Sequence, residues 1–317
     1  MMETRTGKDI ALSISLLKAG KLVAIPTETV YGLAANGYDP KAVAGIFEAK
    51  GRPHFDPLIL HIGDIAQLDS LSIRFPEKAK KLAETFWPGP LTLILPKSDL
   101  VPDLVSSGLP TVGIRMPRHE MTLELLKSID FPLAAPSANP FGYISPTSAQ
   151  HVMDQLRGKI DYILDGGECA VGLESTIVSF LEGEAVILRK GGTPIEDIES
   201  VIGAVSVQTS SNSNPTAPGM LVSHYAPRTP LLFGDIESLM AENKNRNFAV
   251  LGFSETHGQP GELLSKAGDL REAAQNLFSA LRRLDTGNYE LILAEAMPEK
   301  GLGVAINDRL RRAEQRN

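Results

Sequence analysis

The sequence predicts an α/β protein with a twisted, mixed parallel/antiparallel sheet, followed by a smaller α/β domain. Short apolar runs alternate with helical patterns along residues 1–205, which is typical of a sheet covered by helices. Two of these runs are separated by only four residues, which include Glu-Gly-Glu. This is too short for a parallel crossover, so antiparallel hairpins must interrupt the parallel pairing. A segment rich in Ser, Thr, Asn and Pro then ends the pattern, which resumes on a smaller scale.

The unit at residues 1–205 contains most of the predicted elements. Its apolar runs predict strands at 22–25, 58–62, 91–95, 112–116, 160–164, 176–180 and 185–188. Helical periodicity predicts helices at 9–19, 40–49, 76–86, 119–128, 148–157 and 194–203. The helix at 40–49 has a well-marked start, because Asp39 can cap its first turn and Pro40 suits its first position.

The clearest boundary is the stretch SVQTSSNSNPTAPGM, which has no hydrophobic period and is typical of a linker. We expect a linker at 206–228 and a small α/β domain of Rossmann-like type at 229–317. The last domain has its own predicted elements: strands at 230–233, 248–253 and 291–295, and helices near 269–285 and 303–314.

Composition limits the function classes. The chain has 317 residues, a net charge of −7 and a pI near 5.5, which argues against a broad electrostatic surface for nucleic acid. Its single cysteine, Cys169, excludes an internal disulfide and a multi-cysteine metal site, and a reducing, cytoplasmic setting fits best. The polar N-terminus is unlike a signal peptide, and no apolar run is long enough to span a membrane, so we expect no membrane partner.

Several well-known catalytic motifs are absent from the sequence. There is no GxxxxGK[ST] phosphate loop, no strand-linked GxGxxG, no GxSxG elbow and no HExxH pair. A zinc site made by the protein is therefore not expected. A nucleotide would have to be held by dispersed cations and backbone amides.

The segment 26–33, PTETVYGL, together with 50–53, KGRP, is the strongest local signal. An apolar run ends at a proline, small hydroxyl side chains and a carboxylate follow, and the next helix ends in Lys50 and Arg52. Hydroxyls facing paired cations would suit a small polar anion. The alternative is that both cations only complement the helix C-terminus. For His61, at the end of PLILHI, the alternative is a structural role, which is the commoner one for a lone histidine at a strand end.

Further hydroxyls and cations occur at predicted strand ends, where α/β sheets bind ligands. Arg115 leaves an apolar strand just before a proline, on the same face as Thr111. Loops of small residues carry Ser137, Asn139 and Ser145, although Ser145 could equally be a helix cap. The remaining candidates are Ser175 and Thr176 at a strand entrance and Arg189 and Lys190 at a strand exit.

In this order and spacing, PTETVYGL, KGRPHFDPLILHI, PLTLIL, TVGIRMP, APSAN, ISPT, ESTIV and ILRKGG resemble the YrdC-type family of threonylcarbamoyl-AMP synthases. The stretch 218–227, PGMLVSHYAP, resembles the connector of the longer, two-domain form of that family. The resemblance covers residues 9–228 almost continuously, and 301–310 is consistent with the family's C-terminal domain.

The resemblance implies a nucleotidyltransferase that converts L-threonine, bicarbonate and ATP into threonylcarbamoyl-AMP and pyrophosphate. It implies Mg²⁺ carried by ATP rather than bound by the protein alone. It also implies that a downstream tRNA threonylcarbamoyl transferase machinery uses the product to modify the adenosine next to the tRNA anticodon, with at most a weak tRNA contact by this chain.

The resemblance also implies roles for individual residues, and it makes the linker a cover for the active site. The L-threonine site would consist of Thr29, His61, Arg115, Ala135 and Ser175. The ATP site would consist of Lys50, Arg52, Asp56, Thr111, Ser137, Asn139, Ser145, Arg189 and Tyr225. Lys50 and Arg52 would be the catalytic pair that holds phosphate or bicarbonate charge.

Two other functions compete with this interpretation. An RNA-binding module without adenylate-forming activity would use the basic set Lys50, Arg52, Arg115, Arg118, Arg189 and Lys190. Those cations are interleaved with small hydroxyl residues rather than with exposed aromatic residues, which is unfavourable for RNA. A different carbamoyl transfer, as in hydrogenase maturation proteins, would need zinc-finger and acylphosphatase-like regions for which this chain has no room.

Overall fold

The computed structural model describes residues 3–181, 183–209, 217–220 and 225–314, and they form two sheets with flanking helices. The strands of the larger unit are β1 (Arg5–Gly7), β2 (Val23–Ile25), β3 (Gly32–Asn36), β4 (Ile59–His61), β5 (Leu91–Pro96), β6 (Thr111–Arg115), β7 (Leu133–Ala134), β8 (Tyr162–Leu164), β9 (Thr176–Ser179), β10 (Val186–Arg189) and β11 (Ser206–Val207). Its helices are α1 (Ile10–Lys18), α2 (Pro40–Lys50), α3 (Leu68–Leu71), α4 (Glu77–Phe86), α5 (Asp103–Ser106), α6 (Glu120–Lys127), α7 (Ala149–Leu156) and α8 (Ile195–Ile202).

The large sheet mixes parallel and antiparallel strands, which confirms the predicted fold class. Its strand order is β1-β8-β2-β3-β7-β4-β6-β5-β9-β10-β11. The two runs separated by Glu-Gly-Glu form the antiparallel pair β9 and β10, while β4 and β6 are parallel. The start of α2 is also as predicted, because the Asp39 side chain accepts from the Lys41 amide at 2.9 Å and Pro40 is the first helical residue.

Two strands in the middle of the sheet, β3 and β7, were not predicted from the sequence. The sequence of β3 is Gly-Leu-Ala-Ala-Asn, which lacks the β-branched residues that favour strands, and β7 has only two residues. Both exist because neighbouring strands pair with them on each side. Their pairing places the loop after β2 beside the loop after β7, since Gly32 and Ser137 form an antiparallel bridge.

Helices cover both faces of the large sheet. Along β2, Val23 and Ile25 pack in an apolar cluster with residues of α1 and α6. Ala24 points the other way, into the largest cluster, which contains residues of α2, α4, α7 and α8. This alternation is the period of two that a strand buried on both faces requires.

The smaller domain has a fully parallel sheet of order β12-β15-β13-β14. Its elements are β12 (Leu231–Gly234), α9 (Ile236–Glu242), β13 (Phe248–Gly252), β14 (Gly261–Leu263), α10 (Leu270–Asp285), β15 (Leu291–Glu295) and α11 (Leu302–Glu314). The predicted strands and helices of this domain match to within a few residues, and α9 and β14 are additional. A second, smaller α/β domain is therefore confirmed.

The two domains share one apolar cluster. Val30, Ile144 and Leu173 of the large unit pack in the same cluster as Leu277 and Phe278 of α10. The contact is close, since a side chain at Gly172 would place its Cβ 2.5 Å from the Ala274 carbonyl oxygen. Of the predicted linker 206–228, residues 210–216 and 221–224 lie outside the described residues.

Candidate active site

A cleft opens where the loops after β2 and β7 meet the ends of β4, β6, β9 and β10. It encloses about 570 Å³ of space between atoms, counted out to its open mouth. The predicted site residues that line it are Thr29, Arg52, His61, Arg115, Ala135, Ser137, Ser175, Arg189 and Tyr225. Residues distant in sequence thus converge on one cleft.

Other predicted residues lie behind this wall rather than on it. The Lys50 ammonium donates to the backbone carbonyls of Ser137 and Asn139, so it fixes the small-residue loop from the side that faces away from the cleft. The Asn139 side chain donates to the carbonyls of Pro140 and Tyr143 at 2.8 Å, so it braces the same loop. Thr111 is buried at the start of β6 and does not reach the cleft.

The hydroxyl loop after β2 is a tight turn organised by Thr27. Its Oγ1 donates to the Val30 carbonyl at 2.6 Å and accepts from the Val30 amide at 3.2 Å. The Thr29 hydroxyl lies 2.8 Å from the Thr27 hydroxyl and faces the cleft. Thr27 therefore holds Thr29 in place, a role that the sequence did not indicate.

Arg52 and Asp56 form a buried ion pair beside the cleft. Arg52 Nη2 lies 2.9 Å from Asp56 Oδ2, and the same guanidinium donates to the Pro57 carbonyl at 2.8 Å. Burial lowers the pKa of the neighbouring Lys50 well below its usual range, and the charge of Arg52 adds to this shift. An anionic ligand in the cleft would oppose the shift.

Arg115 is held from two sides. Its Nε donates to the Gly89 carbonyl at 3.2 Å, and its Nη2 lies 2.7 Å from Glu28 Oε1 in an ion pair that is almost fully buried. Glu28 Oε2 accepts from the Arg118 amide at 3.0 Å. Within the described part of the chain, Nη1 of Arg115 makes no hydrogen bond, so this end remains for a ligand in the cleft.

Ser175 and Arg189 form a third polar group on the wall. Arg189 Nε donates to the Ser175 carbonyl and Nη2 to the Ser175 hydroxyl, each at 3.0 Å. Gly191 is required here, because a Cβ would lie 2.3 Å from the Glu174 carbonyl oxygen. The Arg-Lys-Gly-Gly exit of β10 therefore packs directly against the backbone that carries Ser175.

The small domain reaches this wall through Arg309 of α11. The Arg309 side chain is fully buried, lies 2.8 Å from Glu174 Oε2 and donates to the Lys190 carbonyl at 2.9 Å. Its guanidinium also covers the Tyr225 ring at 4.8 Å. Ser145, a predicted nucleotide contact, instead donates to the other oxygen of Glu174, so Glu174 connects both domains at the cleft.

Parts of the predicted linker also lie on the cleft. Pro218 and Gly219 line it, and Arg189 Nη1 donates to the Pro218 carbonyl at 3.2 Å. Tyr225 is buried with φ at 64°, a backbone conformation that residues other than glycine seldom adopt. Its ring stacks on Phe278 at 5.8 Å, so the small domain contacts it from a second helix.

The sequence interpretation missed Glu28, Thr27, Glu174 and the backbone at Pro218. Glu28 and Glu174 belong to motifs that were noted, PTETVYGL and ESTIV, but an acidic residue is not expected in an anion pocket. Each of the two carboxylates fits the site because it pairs with a buried arginine that is distant in sequence, Arg115 for Glu28 and Arg309 for Glu174. Only the burial of a carboxylate inside an apolar pattern could have indicated this.

The cations proposed for RNA binding are mostly not on the surface. Lys50, Arg52, Arg115 and Arg189 are each no more than 7% exposed, whereas Arg118 is exposed. A nucleic-acid backbone needs accessible cations. Burial of this set therefore argues against the RNA-binding alternative and favours a small anionic ligand.

His61 should make the protein less stable in mild acid. Burial and the charge of Arg115 lower the pKa of His61 to about 3, below the roughly 6.5 of an exposed histidine. The unfolded chain then binds one more proton than the folded chain, so stability is lost as pH falls below about 6.5, by up to about 1.4 kcal/mol per pH unit. When the free energy of unfolding is measured with urea at several pH values in this range, it should fall less steeply with decreasing pH in His61→Gln than in the wild type.

The slope is the readout, because the substitution itself shifts stability at every pH. Burial also lowers the pKa of His151, to about 4, so a His61 variant should remove only part of the acid sensitivity. An unchanged slope in His61→Gln would show that His61 is protonated equally in the folded and unfolded chains.

Within the described ranges, no group of three or more His, Cys, Asp or Glu residues is arranged to hold a metal ion. None of the helices in those ranges is long and apolar enough to cross a membrane.

Comparison with known proteins gives consistent matches over nearly the whole chain. The family model Sua5_yciO_yrdC, described as "Telomere recombination", matches residues 15–191. The model Sua5_C, described as "Threonylcarbamoyl-AMP synthase, C-terminal domain", matches residues 193–314.

Curated relatives and solved structures cover the same span. Threonylcarbamoyl-AMP synthase of Pyrococcus abyssi is 45% identical over 96% of this chain and 93% of its own length. The Bacillus subtilis protein of that name is 44% identical over 96% and 92%. The crystal structure of P. abyssi Sua5 complexed with L-threonine superposes with a TM-score of 0.92 at 43% identity, covering 99% of this chain and 97% of that one.

Proposed function

The chain belongs to the Sua5/YciO/YrdC family of threonylcarbamoyl-AMP synthases in its two-domain form, and from this premise we propose that it joins L-threonine, bicarbonate and ATP into threonylcarbamoyl-AMP and pyrophosphate. The name shared by its relatives marks it as an ATP-using, adenylyl-transferring enzyme. The product would be passed to a tRNA threonylcarbamoyl transferase machinery in the cytosol, for modification of the adenosine next to the anticodon.

The observation that carries the proposal is the set of buried cations at one cleft. Arg52, Arg115 and Arg189 line the cleft and Lys50 lies behind its wall. All four are buried, and buried charge is costly unless it is compensated. Asp56 and Glu28 compensate part of this charge, while Glu174 is already paired with Arg309. The remaining positive charge suits a ligand set with several anionic groups, such as a triphosphate and an amino-acid carboxylate.

We assign the L-threonine end of the cleft to Arg115, Thr29, His61, Ala135 and Ser175. The free Nη1 edge of Arg115 would bind the carboxylate, and Thr29 and Ser175 would bind other polar atoms. His61 is neutral at physiological pH, so it can form a hydrogen bond without adding charge. The ring lines the cleft, although its Nδ1 is itself buried and has no hydrogen-bond partner within the described residues.

We assign the ATP end to Lys50, Arg52, Ser137, Arg189 and Tyr225. In this group, Arg52 and Arg189 would face the phosphates. Lys50 would position the loop of Ser137 and Asn139 through its hydrogen bonds to their carbonyls. Asp56 would act by positioning Arg52, and Ser145 by positioning Glu174. Thr111 would act only through the strand that carries Arg115.

The proposed reaction has two steps. The threonine amine attacks the bicarbonate carbon to give a carbamate and water. A carbamate oxygen then attacks the α-phosphorus of ATP, the bond between that phosphorus and the bridging oxygen breaks, and pyrophosphate leaves. Neither step needs a covalent bond to the protein, so the buried cations and hydroxyls act by positioning the anions and by neutralising their charge.

Magnesium would enter this site with ATP. Among the described residues that line the cleft, Glu174 is the one with a carboxylate that could bind a metal ion. Both of its oxygens already have partners, Ser145 and Arg309. Mg²⁺ prefers several waters and phosphate oxygens to a cage of protein ligands, so phosphates would supply most of its coordination and it would reduce their negative charge.

The direct test measures pyrophosphate release by the purified protein with ATP, Mg²⁺ and bicarbonate. We expect release to depend on L-threonine and to fall when bicarbonate is removed, with serine and valine as matched controls. Release that is unaffected by L-threonine would contradict the proposal. Tight, salt-sensitive RNA binding without ATP turnover would instead favour the nucleic-acid alternative.

A further inference from the structure

Thr92 occupies a position that the proposed chemistry does not yet use. It lies on β5 within the PLTLIL motif, and its side chain is completely buried. Its hydroxyl lies 2.7 Å from the Ser175 hydroxyl, which is its only side-chain hydrogen bond within the described part of the chain. The pair is formed because β5 and β9 are parallel neighbours, with Leu91 opposite Thr176.

The hydrogen-bond inventory of this pair restricts its orientation. A hydroxyl has one hydrogen to donate and two lone pairs to accept. The Ser175 oxygen already accepts from Arg189 Nη2 at 3.0 Å, so one lone pair remains. Only one hydrogen can lie between Thr92 and Ser175, and it comes from one residue or the other.

The two orientations differ once a ligand occupies the cleft. If Ser175 donates to Thr92, the Thr92 hydrogen stays buried inside the sheet without an acceptor, which is costly. If Thr92 donates to Ser175, the Ser175 hydrogen is the one left over, and Ser175 lines the cleft. A ligand oxygen can then accept it, so every group in the chain of hydrogen bonds is satisfied.

We propose that Thr92 is a positioning residue that, together with Arg189, commits the Ser175 hydroxyl to donate into the cleft. Both lone pairs of Ser175 are then occupied, so this position can bind an acceptor oxygen and cannot bind an ammonium or amide hydrogen. The inference rests on the proposed function and adds a specificity rule to it. The atom facing Ser175 is therefore an acceptor oxygen of the bound L-threonine or of the carbamate formed from it.

Thr92→Val is the test, because it removes the hydroxyl and keeps the β-branched shape. We expect kcat/KM for L-threonine to fall about three- to tenfold, the effect of one neutral hydrogen bond. Thr92→Ser, which restores a donor, should recover most of the loss. Thr92→Cys, a weaker donor of similar size, should lie between the two and replaces Thr92→Val if that variant does not fold.

A double-mutant cycle separates positioning from general damage. Ser175→Ala should reduce kcat/KM about ten- to a hundredfold, and Thr92→Val should add nothing further in that background. Thr4→Val is the matched control, because it also removes a buried, hydrogen-bonded threonine hydroxyl, but one that lies beside β1, away from the cleft. It should lower the melting temperature and leave kcat/KM unchanged.

The outcomes distinguish this inference from the proposed function. If the wild type shows no threonine-dependent pyrophosphate release, the proposed function fails. If the wild type is active and Thr92→Val (or Thr92→Cys) equals it, the inference is overturned while the function stands. An effect of Thr92→Val that is fully additive with Ser175→Ala would also overturn it, since Thr92 would then act independently of Ser175.

Discussion

Replacement of Arg309 by Met is expected to lower the free energy of unfolding by about 3–5 kcal/mol, the cost of leaving a buried charge without its partner. Arg309 is the buried cation beside Glu174 Oε2, and it also donates to Asp308 Oδ2 at 2.9 Å. Met fills similar space but cannot donate, so Glu174 keeps a charge facing the cleft. Chemical denaturation should show the loss, and turnover should fall because that charge repels anionic substrates.

Arg311→Met is the matched control for this experiment. Arg311 lies two residues further along α11 and pairs with Glu299, but both side chains are about half exposed, so their ion pair contributes little. We also expect Glu174→Gln to recover part of the loss when it is combined with Arg309→Met. Equal effects of the Arg309 and Arg311 variants would show that the contact between domains does not stabilise the cleft.

The second large effect is expected for Arg115→Ala. A charge-assisted hydrogen bond contributes about 1.5–3 kcal/mol, so kcat/KM for L-threonine should fall about ten- to a hundredfold, while the KM for ATP changes little. Arg115 has this role because Glu28 and Gly89 hold its Nη2 and Nε, while its Nη1 is available to a ligand in the cleft. Steady-state assays with each substrate varied in turn would measure the difference.

Arg118→Ala is the control, because its side chain is exposed and three residues away on the same segment. It should leave both substrates unaffected. Since removal of Arg115 leaves Glu28 buried without its cation, the folded fraction of Arg115→Ala must be checked by circular dichroism. Equal losses for threonine and ATP in folded protein would remove Arg115 from the threonine site.

Much of the fold was readable because its signals are local. Asp39 and Pro40 mark the start of α2 within three residues of sequence, and the short sequence separation of β9 and β10 forces them to be antiparallel. By contrast, β3 and β7 have weak intrinsic preference for strand and exist because they pair on both sides. Tertiary pairing overrides propensity at such positions.

The candidate site divides in the same way. The register of motifs indicated Thr29, His61, Arg115, Ser175 and Arg189, and the structure brings these side chains to one cleft. The roles of those side chains stay predictions until substrates are tested. The sequence could not separate a residue that faces the ligand from one that holds it, as Lys50 and Ser145 show.

The sequence by itself determined the α/β class, the second domain and the residue types of the candidate site, because periodicity, caps and motif order are properties of neighbouring residues. Only the tertiary structure decided the partners: Glu28 with Arg115, Thr92 with Ser175, and Arg309 with Glu174. Each of these pairs joins residues on different strands, loops or domains. Burial makes an unpaired charge or hydroxyl costly, so the fold had to supply each partner from a distant part of the chain.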